Sequence, residues 1–269
     1  MTTERETNVA EYQNITVELS AGVATLTVDR QEVLNALDAR TTDEIAHAAA
    51  ALDDDAAVRV VIVTGAGDKA FVVGADISVL VKYGPEEGRR AAAAGQRAFD
   101  RLERMGKPVI AALNGYTLGG GCELALACHM RIASDRLKIG LPEINLSIIP
   151  GHGGTQRLPR LIGKGRAFEL ICRGRPIDAA TAERIGLVNQ VVPHDELSAT
   201  VQALAEELAA KPPMAMRYCI QALNEGLETT LTEGQAIESA YFGLCCATED
   251  KVEGMTAFLE KRAAEWTGR

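Results

Sequence analysis

Two short apolar runs restrict this chain more than any other feature. Val58-Arg59-Val60-Val61-Ile62-Val63-Thr64 is rich in β-branched residues and stops at Gly65-Ala66-Gly67, and Val109-Ile110-Ala111-Ala112-Leu113 stops at Asn114-Gly115. A strand that is apolar on both faces has to be covered on both, which is the situation of a parallel sheet packed beneath helices. The intervening patterns are helical: residues 41–52 are Ala-rich, residues 85–105 form a long helix, and Gly120–Ala127 reads as a short apolar helix leading into a strand at 130–133. Upstream, residues 15–19 and Val23–Val28 alternate apolar and polar positions around Ser20-Ala21-Gly22, the pattern of a hairpin. This repeating rhythm predicts an α/β protein with layered packing.

After about Pro193 the strand signals cease. Helical patterns follow at 195–210, Pro213–Gly226, 230–246 and 248–266. The expected organisation is a flexible tail at 1–11, a core carrying the active site at 12–194, and a helical oligomerisation region at 195–269. Ile237, Ala240, Tyr241 and Leu244 share one helical face, which has to bury itself against the core or a second subunit. Ala91–Ala94 is the one low-complexity patch and reads as helix propensity.

At 269 residues and 47% hydrophobic content, the chain can bury a sizeable core. A net charge of -9 argues against nucleic acid as a partner. The six cysteines (122, 128, 172, 219, 245 and 246) show no CxxC spacing, so reduced thiols and a cytoplasmic location are expected. The N-terminal stretch is polar, and no uncharged run approaches the ~20 residues of a membrane span. Cys128-His129 has no further ligands at useful spacing, so no metal is expected.

Chemistry concentrates in Asn114-Gly115-Tyr116-Thr117-Leu118-Gly119-Gly120-Gly121-Cys122-Glu123-Leu124 and in Leu141-Pro142-Glu143. A glycine triplet opening a helix lets backbone approach a ligand closely and offers unpaired N–H groups to negative charge. Glu123 falls in the first helical turn and Glu143 follows a proline that fixes φ, so both carboxylates hang from restrained backbone. Two carboxyls flanking an oxyanion-binding turn suit acid/base work.

These segments, together with Phe71-Val72-Val73-Gly74-Ala75-Asp76-Ile77, Lys107-Pro108-Val109-Ile110-Ala111-Ala112-Leu113-Asn114-Gly115 and Ile149-Pro150-Gly151-His152-Gly153-Gly154-Thr155-Gln156-Arg157-Leu158, resemble the crotonase (enoyl-CoA hydratase/isomerase) family from about residue 12 to the end. The resemblance implies a spiral of repeated ββα units with a C-terminal helical part that forms trimers, often paired into hexamers. It places oxyanion-hole amides at Ala75 and Gly120. Retention of both glutamates resembles the hydratases: Glu123 would take a proton from water attacking the β carbon of a trans-2-enoyl-CoA, and Glu143 would protonate the α carbon. Alternatives within the family are double-bond isomerisation and hydration of a cyclic dienoyl-CoA. A non-catalytic member that binds RNA or protein is a third, disfavoured by the acidic balance.

For the rest of the substrate, the resemblance points to Ala36, Val72, Val73, Gly74, Asp76 and Ile77 along the coenzyme A path. Tyr116, Leu118 and Leu141 are expected either to line the acyl site or to pack in the core, Gly119, Pro142 and Gly151 are expected to contact the substrate, and the resemblance places Phe258 and Lys261, contributed by this chain or a neighbouring subunit, at the nucleotide. Coenzyme A is part of the substrate, so no separate cofactor is expected. Val72-Val73 replaces smaller residues common in relatives, and Ser78 stands where several hydratases carry lysine. Asp76 reads as a helix N-cap rather than a catalytic group. His152, where many relatives carry a small residue, either faces the acyl pocket or is a solvated loop residue.

Overall fold

A computed structural model describes residues 12–269, so the tail expected at 1–11 lies outside the described residues. The chain opens with the hairpin β1 (Ile15–Ser20) and β2 (Val23–Val28), whose turn places Ala21 and Gly22 at positive φ. Helix α1 (Ala39–Asp54) follows, capped by the Asp38 carboxylate accepting from Thr41 N. Then come β3 (Val60–Gly65), β4 (Ala70–Val73), the single turn α2 (Ile77–Leu80) and the long α3 (Pro85–Glu103). The next unit is β5 (Val109–Leu113), β6 (Tyr116–Leu118) and α4 (Gly120–Ala127). A third begins with β7 (Met130–Ser134) and β8 (Lys138–Gly140) and continues through α5 (Gly154–Ile162) and α6 (Lys164–Arg173).

Each unit gives its first strand to one sheet and its second strand to another, which winds the chain into a spiral. With β9 (Ile177–Asp178), α7 (Ala179–Arg184) and β10 (Gln190–Val192) added, the larger sheet has the order β1-β2-β3-β5-β7-β10 and the smaller β4-β6-β8-β9. From β2 onward the larger sheet is parallel. The fold is therefore the α/β spiral of ββα units expected from the sequence. The strands of the smaller sheet, two to four residues long, carry too little alternation to be recognised by pattern.

The apolar runs now have a physical explanation. Val61, Val63, Val109, Ala111 and Leu113 point inward to a core shared with α1, α3 and α4, where Ile45, Phe99, Leu102 and Leu124 are fully enclosed. Val60, Ile62, Ile110 and Ala112 point to the other face, covered by Leu197, Val201 and Ala205 of α8 (Leu197–Ala209). Alternate residues thus enter two cores, and both faces of the sheet are dry.

Helices α9 (Pro213–Gly226) and α10 (Leu231–Cys246) form an antiparallel pair, with Tyr218 stacked on Tyr241 and the Tyr241 hydroxyl donating to Glu225. Helix α10 begins with a capping box between Thr230 and Glu233 and contributes no buried residue. Helix α11 (Glu249–Glu260) is shorter than the 248–266 stretch predicted. Lys261 adopts a left-handed conformation that closes it, and the chain turns back so that Thr267 and Gly268 donate to Asp250 and Trp266 donates to Ala210 O. Among the described residues no helix is long and apolar enough to cross a membrane.

Helix α4 is pressed onto β4 of the smaller sheet at Gly121, where a methyl group would lie 2.0 Å from the carbonyl oxygen of Val72. Because that neighbour is backbone, relief requires a shift of α4 away from β4. Gly121→Ala is expected to destabilise the protein by about 1–3 kcal/mol or more, measurable as a lower midpoint of denaturant unfolding; an unchanged midpoint would refute the contact.

Candidate active site

The parallel strand β6 delivers the chain to Gly119, whose φ of 52° and ψ of -123° lie outside what an L side chain tolerates. Gly119 N donates to Gly140 O at 2.9 Å, and its carbonyl accepts from Glu123 N at 3.0 Å. Gly120 then starts α4, all eight residues of which are buried. Gly74 lies alongside: a methyl on Gly119 would approach Gly74 Cα to 3.3 Å, and one on Gly120 would approach Gly74 C to 3.7 Å. Leu37 N donates to Gly74 O and Asp76 N to Leu37 O, each at 2.9 Å. In such a parallel bridge the amide of the intervening Ala75 turns away from Leu37. Among the described residues, the Ala75 and Gly120 amides donate to no carbonyl or side-chain acceptor.

Glu123 is almost wholly enclosed, at 2% exposure. Its Oε1 accepts from His152 N at 2.7 Å and Gly154 N at 2.8 Å. Burial pushes its carboxyl upward in pKa, while these two amides and the nearby Arg157 charge oppose the rise. Arg157 holds the same loop: its Nη1 donates to His152 O at 2.9 Å, and its Nη2 reaches Asp100 at 2.6 Å and Glu103 at 2.8 Å on α3. Helix α5 is thereby tied to α3 across the loop that positions Glu123.

Glu143 opens a 3₁₀ turn over Glu143–Leu146, directly after Pro142. A methyl on Gly119 would come within 2.9 Å of its Oε1, which places this carboxyl against the glycine turn. Its Oε2 is buried and, among the described residues, has no hydrogen-bond partner. Burial, reinforced by the charge of Glu123, lifts its pKa to about 7. The two carboxyls thus flank one turn but are unequally solvated by the protein: one has two amide donors on a single oxygen, the other has none on Oε2.

The remaining candidates divide. Gly74, Ala75, Gly119, Gly120, Glu123, Glu143 and His152 meet in one place. Val72 is fully buried beneath α4 and Val73 follows it at the end of β4. Ala36 is buried and its carbonyl accepts from Arg30. Asp76 caps α2 through Ser78 N and Ser78 Oγ, and Ile77 is exposed. Leu141 is enclosed in the main core, Pro142 and Gly151 are half-buried, and Leu118 precedes Gly119 whereas Tyr116 stands exposed at the start of the same strand. Phe258 and Lys261 sit exposed at the end of α11; no hydrogen bond or ion pair among the described residues connects them to the carboxyls. Arg157 was not singled out from sequence; the available signal was a basic residue facing Asp100 and Glu103, which lie three apart on one helix face. Among the described residues no cluster of three or more metal-ligating side chains occurs.

With this geometry in place, comparison with known proteins identifies relatives along nearly the whole chain. The family described as Enoyl-CoA hydratase/isomerase matches residues 18–269. A crotonyl-CoA hydratase of Syntrophomonas wolfei subsp. wolfei is 48% identical over 96% of this chain and 99% of its own length. A short-chain-enoyl-CoA hydratase of Clostridium acetobutylicum is 45% identical over 95% of this chain and 98% of its own. The crystal structure of an enoyl-CoA hydratase from Bacillus anthracis superposes with a TM-score of 0.92 at 41% identity, covering 96% of this chain and all of that one.

A carboxyl whose pKa is raised by folding stabilises the native state only where it is protonated, so its contribution is present below the ordinary glutamate range and is lost as pH rises through about 7. Glu143→Gln keeps the shape without the charge. The variant is expected to melt higher than wild type at about pH 8, with the difference shrinking towards about pH 4.5. A pH-independent difference in thermal midpoint would contradict this environment for Glu143.

Proposed function

From the premise that this chain belongs to the enoyl-CoA hydratase/isomerase family, we propose that it adds water reversibly across the 2,3 double bond of a trans-2-enoyl-CoA, giving a 3-hydroxyacyl-CoA. The observation that carries this reading is the pair of unequally solvated carboxyls, Glu123 and Glu143, flanking a turn with two unengaged amides. The thioester carbonyl oxygen takes the Ala75 and Gly120 N–H groups, which stabilise the negative charge that builds there as the β carbon is attacked. One preorganised donor of this kind is worth about 10²–10³ in rate.

Glu123 is the base. Its Oε1 is engaged by two amides that favour the ionised form, which leaves Oε2 to accept a proton from the attacking water. Glu143, with a pKa near 7 and no donor on Oε2, holds a proton and delivers it to the α carbon. The water's oxygen joins the β carbon, one of its protons passes to Glu123, and the proton from Glu143 completes the addition. Dehydration is the same path reversed. The addition is redox-neutral and needs no cofactor beyond the coenzyme A of the substrate.

We also infer self-association, as a trimer or a dimer of trimers. Leu227, Leu231, Phe242, Phe258 and Leu259, each at least two-thirds exposed in the single chain, give α9, α10 and α11 an apolar surface suited to a second copy. A cytoplasmic location accords with six free thiols.

Loss of the conjugated thioester absorbance of crotonyl-CoA tests the reaction. Wild type is expected to hydrate it, and Glu123→Gln and Glu143→Gln each to lose about 10²–10⁴ of the rate; full activity in both variants would overturn the assignment. The pH dependence is a separate test. Hydration needs Glu123 ionised with Glu143 protonated, and dehydration needs the converse, so both directions use the pair carrying one proton. The kcat/KM profile is therefore expected to be bell-shaped and the same in both directions, with its alkaline limb near pH 7. A profile that stays flat to about pH 9 would count against a proton held by the pair.

A further inference from the structure

His152 is not needed by the two-carboxyl scheme, yet its side chain is built into the site. Its ring meets Phe99 of α3 edge-on, with centroids 5.4 Å apart and planes at 83°. The Cδ2 and Nε2 side is turned to α3 at Gly95, where a methyl group would lie 2.3 Å from Cδ2 and 2.6 Å from Nε2. Only a glycine leaves space for the ring there. Ala92, one turn earlier, lies beneath Gly151, whose added methyl would come within 3.6 Å of it. The small residues of this part of α3 thus have a spatial role: they admit the 151–152 loop and its imidazole.

The opposite edge of the ring looks towards the glycine turn, with Nδ1 3.6 Å from the position of a methyl on Gly120. This Nδ1 is buried and, among the described residues, has no hydrogen-bond partner. Burial also lowers the pKa of the imidazole, so the ring is neutral at ordinary pH. The residue therefore combines fixed bulk on the α3 side with an unpaired polar atom on the Gly120 side.

Resting on the hydration reading above, we propose that His152 determines acyl-chain length, closing the site to long apolar tails. With the thioester oxygen at Gly120 and the β carbon at Glu123, whose Oε1 is held by His152 N itself, carbons beyond the β position run towards this loop. A short chain ends before the ring. A long chain meets an imidazole pinned between Gly95 and Phe99. An obstruction of this kind discriminates by about ten- to a hundredfold.

The test is the ratio of kcat/KM for crotonyl-CoA to that for trans-2-decenoyl-CoA in wild type, His152→Ala and His152→Phe. Because the loop amide of residue 152 also supports Glu123, overall rates are expected to change; the ratio cancels that effect. Wild type is expected to favour the short substrate strongly, His152→Ala to lower the ratio by about tenfold or more, and His152→Phe, which keeps the bulk, to hold it near the wild-type value. Competitive inhibition by butyryl-CoA and decanoyl-CoA reads the same preference through binding alone, so a variant with damaged turnover still reports. Ratios equal to wild type in both variants, by turnover and by inhibition, would overturn the proposal while leaving hydration intact. Failure of wild type to hydrate any enoyl-CoA would instead remove the hydration reading, with the inhibition series then deciding chain discrimination.

Discussion

The arrangement depends most on the two amide hydrogen bonds that Glu123 Oε1 accepts from His152 and Gly154. A carboxylate buried this deeply would be too costly to ionise without donors, and these donors come from a different part of the chain some thirty residues on. The bonds thus fasten α4 to the loop before α5. They fix which oxygen of Glu123 is spent on structure and which remains for chemistry. They also set the position of residue 152, whose side chain is carried by the same peptide unit that donates the first bond.

Around this link the support is graded outward. Arg157 binds the carbonyl of His152 and is itself held by Asp100 and Glu103, so the loop is restrained from both its N–H and its C=O side. Beneath α4, contact between Gly121 and Val72 carbonyl sets the height of the helix above β4, and the Gly119 to Gly140 bond sets the entry of the chain into it. The C-terminal end of α4 is braced by the buried Arg131, whose Nη1 donates to Ala125 O and Cys128 O while Nε donates to Leu187 O. A cation at that end complements the helix dipole without a carboxylate partner. Helix α4 is thereby held at its start, its base and its end.

Much of this was legible in the sequence because the large sheet advertises itself. The runs ending at Gly65 and Leu113 must be apolar on both faces when α8 covers one side and α1, α3 and α4 the other, so their pattern identifies buried parallel strands. The turn at Gly119–Gly121 was likewise readable, since no other residue fits the φ of 52° or the approach to β4. The smaller sheet was not, because strands such as Lys138–Gly140 are too short to show a period. Nor was the shorter α11: the amphipathic pattern runs on to Trp266, but the pairing of Arg262 with Glu253 folds the chain back beyond Lys261. Long-range bonds of this kind, like those from Arg157, leave no local trace.

The site's division of labour follows from solvation rather than from residue type. Glu123 and Glu143 are chemically the same group, both lifted by burial, and only the donors around them differ. Two N–H groups lower the cost of charge on Glu123, whereas Glu143 Oε2 faces no donor and its ionised form is further disfavoured by its neighbour. On the proposed reading, a single proton shared by the pair resides on Glu143, leaving Glu123 able to accept one. Because the asymmetry is built from backbone amides in a braced loop, it is present before substrate arrives, and the proposed mechanism needs no rearrangement to assign acid and base. The same loop carries the His152 ring, so on the proposal above the structure that distributes the proton also shapes the end of the acyl site.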